Sequence, residues 1–406
     1  MESWNKSIRL SLSITVLVLS VSTFARTSKC DFIVDSLCYE ILSEEDHTVG
    51  VSYDYYGNYI PELKYRCPTR ELVIPDTVVF NGTKYAVTEI SSHGFEDLFS
   101  IPSVKLPNTL KKINDNGLCQ AFSSDELFLP PSVEYLGMFA LINRNLKKVN
   151  LEHVKYFGNN ALSYTSLTEA FIRKNVEYGT AVFFKCSKLE KAVIEEGITK
   201  LPMYTFRICE NLSKVELPSS LTDIGNFAFD GCAFDSITLP QNVTILRRGL
   251  FSENHRLKNI VLPEKVDSIE YWVFLNCYAL ESILFPANVR YINEKAIHFF
   301  KEPDDPTPQI KDIYCEGTTP PKEGCYVEGV TLHVPKGYKE IYATTDNWAK
   351  YGENIVDDIN LEGIHHAQLK TQDSDAPTYD LQGRRVAHPK QGGIYIQKGK
   401  KVQMKR

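Results

Sequence analysis

At 406 residues, 24% of them charged and with a net charge of −6, the chain has the composition of a folded soluble protein and no basic excess to hold a nucleic acid. Its length admits two or three ordinary domains or one long array. It contains no HExxH, GxSxG, GxGxxG or phosphate-loop motif, so it carries no catalytic constellation, metal site or cofactor site that sequence motifs can reveal.

The first predicted element lies outside the fold. Lys6 and Arg9 flank an apolar stretch from Ile8 to Val21, and small residues follow to Ala25. A charged start, a short apolar centre and a small-residue end predict a secretory signal peptide over 1–25. The stretch is shorter than the ~20 residues of a comfortable membrane span, leaving an uncleaved anchor as the alternative. No transmembrane segment is expected after cleavage, which places the protein outside the cell or on its surface. Export permits disulfides. Ten cysteines are present with no CxxC pair among them; Cys30 with Cys38, or Cys315 with Cys325, are the better disulfide candidates because they lie in the caps, and sequence leaves the connectivity open.

Residues 26–70 include "TVGVSYDYYGNYI", alternating and aromatic-rich, which predicts a β cap over the first open strand edge. From 71 to 300 one pattern recurs. Leu-Pro or a related apolar residue stands at 106, 129, 151, 172, 194, 217, 239, 262 and 285, at spacings of 21 to 23. In "SKVELPSSLTDIGNFAFDGC" (213–232), Val215 and Leu217 face one way and Glu216 the other, as in a strand. Pro218 ends the strand, Gly225 is expected to turn the chain, and a return segment carries an apolar residue: Leu162, Phe183, Phe206, Phe229, Phe251, Phe274 and Ile297 in successive repeats. Twenty residues cannot bury these side chains alone, but stacked units can. The predicted fold is an α/β-type repeat solenoid with a parallel β-sheet on one face and short helical or irregular returns on the other. Cys186, Cys209, Cys232 and Cys277 fall at near-equivalent positions and are expected as buried, inert thiols filling one rung each.

The "LP" anchors, the "IGNFAFDGC" return and the "NLSKVELP" re-entry resemble the BspA-like leucine-rich repeat family of bacterial surface proteins. The resemblance implies non-enzymatic adhesion to host matrix proteins, cells or other bacteria. "KKVNLEHVKYFGNNAL" and "EAFIRKNVEYGTAVFF" depart from the pattern, lacking the proline and the regular length.

The outward strand positions, in register, are Val73, Lys105, Phe128, Asn150, Phe171, Val193, Glu216, Thr238, Val261 and Leu284. Six of the ten are apolar. They are either strand-forming residues shielded by their neighbours or an extended ligand face, because large exposed apolar patches generally bind something. The second reading makes Phe128, Asn150, Phe171, Val193, Glu216, Thr238, Val261 and Leu284 the candidate site for a protein or polysaccharide on the concave sheet. Phe128 and Phe171 could stack on sugars in a carbohydrate-binding alternative.

Residues 301–356 predict final repeats and a helical cap, and 357–375 a linker. The basic stretch 376–406, with turn signals at Gln382-Gly383 and Lys398-Gly399, predicts a β-hairpin tail. "GGIYIQKGKKV" resembles type IX sorting tails of exported Bacteroidetes proteins, and a plain hairpin appendage is the alternative.

Overall fold

The computed structural model describes residues 29–54, 70–98, 101–300 and 306–360, together with the backbone of Thr378–Tyr379, Ile394–Gln397 and Lys400–Gln403. The predicted signal peptide and the cap residues 55–69 lie outside these.

The turn beginning at Ser213 shows how the array is built. Its first strand, Lys214–Glu216, pairs in parallel with Lys191–Ile194 of the preceding turn. The chain then bends at Pro218, whose missing N–H suits a strand exit. A second strand, Asp223–Ile224, pairs in parallel with Lys200–Leu201. Sequence reading missed this second sheet, because a two-residue strand offers no alternation to detect. The return segment is neither helix nor strand, yet its backbone is also knitted to the next turn. The amides of Phe227, Phe229 and Gly231 donate to the carbonyls of Arg248, Leu250 and Ser252 at 2.9, 3.2 and 2.8 Å. Among the described residues, helix is confined to Lys339–Ala343 and the 3-10 stretch Asp346–Asn354.

The return owes its shape to left-handed residues spaced four apart: Tyr204 and Ile208, Phe227 and Gly231, Gly249 and Glu253, Trp272 and Asn276, all with φ between 53° and 67°. Most of these are not glycine, and each such residue costs roughly 1–2 kcal/mol. The inter-turn hydrogen bonds over-determine the conformation and hold the strain. Gly225, expected as the turn residue, has no positive φ. A Cβ there would lie 2.4 Å from the Met203 amide nitrogen, so this glycine serves a close approach between turns.

Stacking produces one continuous core. The rings of Phe183, Phe206, Phe229, Phe251 and Phe274 form a buried spine with centroids 5.6 to 6.1 Å apart and nearly parallel planes. Beside the spine run the cysteines. Cys209, Cys232 and Cys277 donate their thiols to the carbonyls of Phe183, Phe206 and Phe251 at 3.1, 3.3 and 3.1 Å. Asn254 does the same for Phe229 with its amide at 2.7 Å. The cysteines are therefore small fillers that also donate to carbonyls, and those of Phe183, Phe206 and Phe251 accept a backbone amide as well.

The ends are capped differently. At the start, Phe32–Val34, Leu37–Ser43 and Thr48–Tyr53 form an antiparallel meander, and Thr48–Tyr53 pairs in parallel with Thr83–Ile90. At the other end, Trp348, Tyr342 and Tyr351 are buried, and each donates to a loop carbonyl: those of Pro321, Gly317 and Cys325. The last strand of the array, Ile355–Ile359, extends into the stretch read as a linker from 357, because Ile355 and Ile359 are both buried against the cap. Further on, Thr378–Tyr379, Ile394–Gln397 and Lys400–Gln403 form a three-stranded antiparallel sheet.

Neither expected disulfide is present: Cys30, Cys38, Cys315 and Cys325 are free thiols. Their place in the caps prompted the pairing, whereas Cys30 directs its sulfur to the Phe32 carbonyl.

Candidate ligand-binding face

The outward row is in the expected register. Phe171 pairs with Val193 and Val193 with Glu216; Thr238 pairs with Val261, and Val73 with Lys105. Exposure along the row is uneven. Phe128 is 71% and Phe171 57% exposed, far above what ring burial would allow. Glu216 and Thr238 are exposed, while Asn150, Val193 and Val261 are half-buried. Leu284 is a correction: it is buried, because Ser282–Phe285 belongs to a continuous four-stranded ladder. In the same row Leu284 pairs with Tyr314 and Tyr314 with His333, and the Tyr314 and His333 rings stack with centroids 4.4 Å apart. His333 is itself bracketed by Asp312 and Asp358, whose carboxylates lie 3.1 and 2.9 Å from its two ring nitrogens.

Between Phe128 and Phe171 lies a cleft of about 650 Å³, with the buried rings of Phe157 and Phe183 at its base. Its origin is legible in the chain. The first sheet is interrupted between Lys148–Val149 and Glu169–Ile172, and the interruption falls at the shortest anchor spacing, the 21 residues from Leu151 to Ile172. Asn150 sits at this break. Its Oδ1 accepts from the Leu129 amide and its Nδ2 donates to the Leu129 carbonyl, both at 2.7 Å. Both polar atoms thus extend the parallel pairing of Lys148–Val149 with Glu126–Leu127 on the paired side of the break. Arg173 replaces the anchor proline of its repeat. Its guanidinium donates to the carbonyls of Leu151 and Val154 at 2.6 and 3.0 Å and also to that of Glu152. Charges rim the face in opposed pairs, Lys148 with Glu126 and Lys191 with Glu216.

The buried thiols offer no chemistry. Burial pushes Cys186 up to about 11 and raises Cys209, Cys232 and Cys277 as well, so little thiolate exists at neutral pH. Among the described residues no group of three or more His, Cys, Asp or Glu side chains is placed to hold a metal ion, and no helix is long and apolar enough to cross a membrane.

Short parallel strands stacked at a period of 21 to 23 residues around an apolar spine define a leucine-rich repeat solenoid. The chain belongs to the BspA-type family: the pattern described as "BspA type Leucine rich repeat region" matches residues 66–189 and 177–301, in six copies. Among solved structures, the pneumococcal vaccine antigen PcpA is 18% identical over 80% of this chain and 96% of its own, with a TM-score of 0.51. A leucine-rich repeat protein from Bacteroides ovatus is also 18% identical, over 80% of this chain and 98% of its own, with a TM-score of 0.46. A leucine rich cell surface protein from Faecalibacterium prausnitzii is 19% identical over 72% of this chain and 96% of its own, with a TM-score of 0.42. At these identities the likeness is one of fold. Compared with the curated proteins, the chain matches none.

Proposed function

We propose that this chain is a non-enzymatic, exported surface solenoid that binds a macromolecular partner across the concave face of its first sheet, in adhesion to a host matrix protein, a cell or another bacterium. The observation that carries the reading is the pair of exposed rings, Phe128 and Phe171, on either side of a cleft whose base is apolar. Two large aromatics held in water have no reason in folding. Aromatic anchors beside a pocket are what binding hot spots are made of. About twelve strands at ~4.8 Å give a sheet roughly 50 Å long, suited to an extended partner rather than to an enclosed small molecule. The predicted leader over 1–25 and the sorting-like tail over 376–406 support display at the cell surface. A surface carbohydrate-binding protein of a glycan-uptake system is the second reading, favoured by the same two rings, whose flat faces suit sugar stacking.

The chain from residue 26 is to be offered immobilised matrix proteins, whole cells and a glycan array, beside the Phe128→Ser, Phe171→Ser double variant. The expected result is a protein or cell ligand whose affinity falls tenfold or more in the variant, ~1.4 kcal/mol. A glycan as the sole ligand selects the second reading. Undiminished affinity in a variant that melts like the parent removes this face from consideration.

A further inference from the structure

A second cleft, of about 750 Å³, opens on the flank of the solenoid beside the second sheet. It lies where the corner length changes. Seven residues separate anchor and second strand in regular repeats, as from Leu217 to Ile224, but only six separate Leu151 from Phe157 and Ile172 from Tyr178. Where six returns to seven, the second sheet breaks: Glu177–Tyr178 and Lys200–Leu201 belong to different sheets. The opening adjoins the Phe128–Phe171 cleft at Arg173, which lines both.

Its lining is rich in positive charge. Arg173, Lys174, Lys200 and Arg247 face it, and Asp223 is the one carboxylate among its lining residues. Asp223 is shared, with Arg247 Nε at 2.6 Å and Lys200 Nζ at 3.6 Å. Lys174 is paired outside the cleft with Glu195 at 3.0 Å, and Glu270 adds a more distant negative charge near Arg247. Arg173 gives its guanidinium hydrogen bonds to neutral backbone carbonyls, and Glu195 is the carboxylate that feels its charge. Four cations therefore meet three carboxylates, only one of them inside. Lys174 and Lys200 keep 56% and 71% of their side chains in water, free to turn toward a guest. Val176, Ile198, Pro202 and Met203 give the lining an apolar part, and Asn175 and Asn226 add two side-chain amides.

We propose that this cleft is a binding site for an acidic saccharide, one carrying a carboxylate or a sulfate on a sugar ring. The volume suits one or two rings, within the ordinary range for small-ligand sites. The apolar part of the lining matches the C–H face of a pyranose, the amides match its hydroxyls, and the cations match the anionic group. The proposal does not rest on the adhesion reading, and the two clefts share only Arg173 among their lining residues.

The test titrates the full chain with a glucuronate-containing disaccharide, its uncharged methyl ester and a sulfated disaccharide, followed by calorimetry. Binding of either acidic sugar, with the ester at least tenfold weaker, is expected. The acid and sulfate arms show which anion is preferred. Lys174→Gln with Lys200→Gln should lose tenfold or more, while Lys147→Gln with Lys188→Gln and the Phe128→Ser, Phe171→Ser variant should bind as the parent does. Ester and acid binding equally, no loss in the Lys174/Lys200 variant, or no binding of either charged sugar at millimolar concentration, each overturns the proposal.

Discussion

The thiol of Cys232 donates to the carbonyl oxygen of Phe206, 3.3 Å away and one turn back in the array. The same bond, made by Asn254 to Phe229, shows that the position asks for a donor rather than for sulfur. Cys232→Ala should therefore destabilise by ~0.5–1.5 kcal/mol, the net worth of one hydrogen bond to a carbonyl that keeps its bond from the Cys209 amide, beyond the loss of one small side chain. Cys232→Asn should recover part of it. Chemical denaturation of both variants decides: an alanine variant as stable as the parent would show that the bond contributes nothing.

Phe229 lies between Phe206 and Phe251, with ring centroids 5.9 and 6.1 Å away, and meets Phe234 edge-on at 5.6 Å. Phe229→Ala should cost ~3–5 kcal/mol, as large buried aromatics do. Each turn contacts only its neighbours, so the loss should appear first as faster hydrogen exchange within residues 194–262. Exchange that rises evenly along the whole array would mean that the solenoid unfolds as one unit.

Two glycines should respond to alanine for different reasons. At Gly225 the new Cβ would sit 2.4 Å from the Met203 amide nitrogen, a backbone clash that forces the turns apart and costs ~1–3 kcal/mol. At Gly82, φ is +79° and no atom lies within 4 Å of an added Cβ, so left-handed strain of ~1–2 kcal/mol is the whole effect. The Gly225 variant should also disturb its neighbouring turn, visible as altered amide shifts near Met203, and the Gly82 variant should disturb only its own hairpin. Amide shifts unmoved at Met203 would refute the close-approach account.

Arg207 and Asp230 form a buried ion pair, Nε to Oδ2 at 2.7 Å, with the guanidinium also 5.4 Å from the centroid of Tyr204 and 5.6 Å from that of Phe227. Arg207→Met strands a buried carboxylate and should cost ~3–5 kcal/mol at neutral pH. The pH dependence has a definite sign. Burial pushes the Asp230 carboxyl up and Arg207 opposes the rise, so in the variant it goes higher still. The folded state then holds a proton that the unfolded chain, with a carboxyl near ~3.9, has released. Stability is therefore retained below that value and lost as pH rises through the folded pKa. Melting temperatures between pH 4 and 7 should fall more steeply for the variant than for the parent; parallel curves would contradict this.

The rings of Phe128 and Phe171 are exposed, so replacing both with serine should change stability by no more than ~0.5 kcal/mol each. A large loss in the melting curve would place them in the core and would mean that the strand register had slipped by one residue.

Much of this architecture is legible in the chain. The repeat spacing alone places Phe183, Phe206, Phe229, Phe251 and Phe274 in one spine and assigns the outward row, because a period maintained over nine anchors permits one stacking. Alternation within a strand then decides which side chain faces in. Other features depend on contacts between turns, which local pattern does not contain. Phe227 adopts a left-handed φ and Gly225 does not, since the requirement comes from hydrogen bonds and backbone approach to adjacent turns. Leu284 has the alternation of an exposed position, and a continuous ladder through Tyr314 and His333 buries it. Asn150 reads as a polar contact for a guest and is consumed by Leu129. The sequence by itself determined the solenoid, its core and its register, which follow from periodicity. Only the tertiary structure decided the second sheet, the two clefts and which of the outward residues meet water, because each depends on how one turn sits on the next.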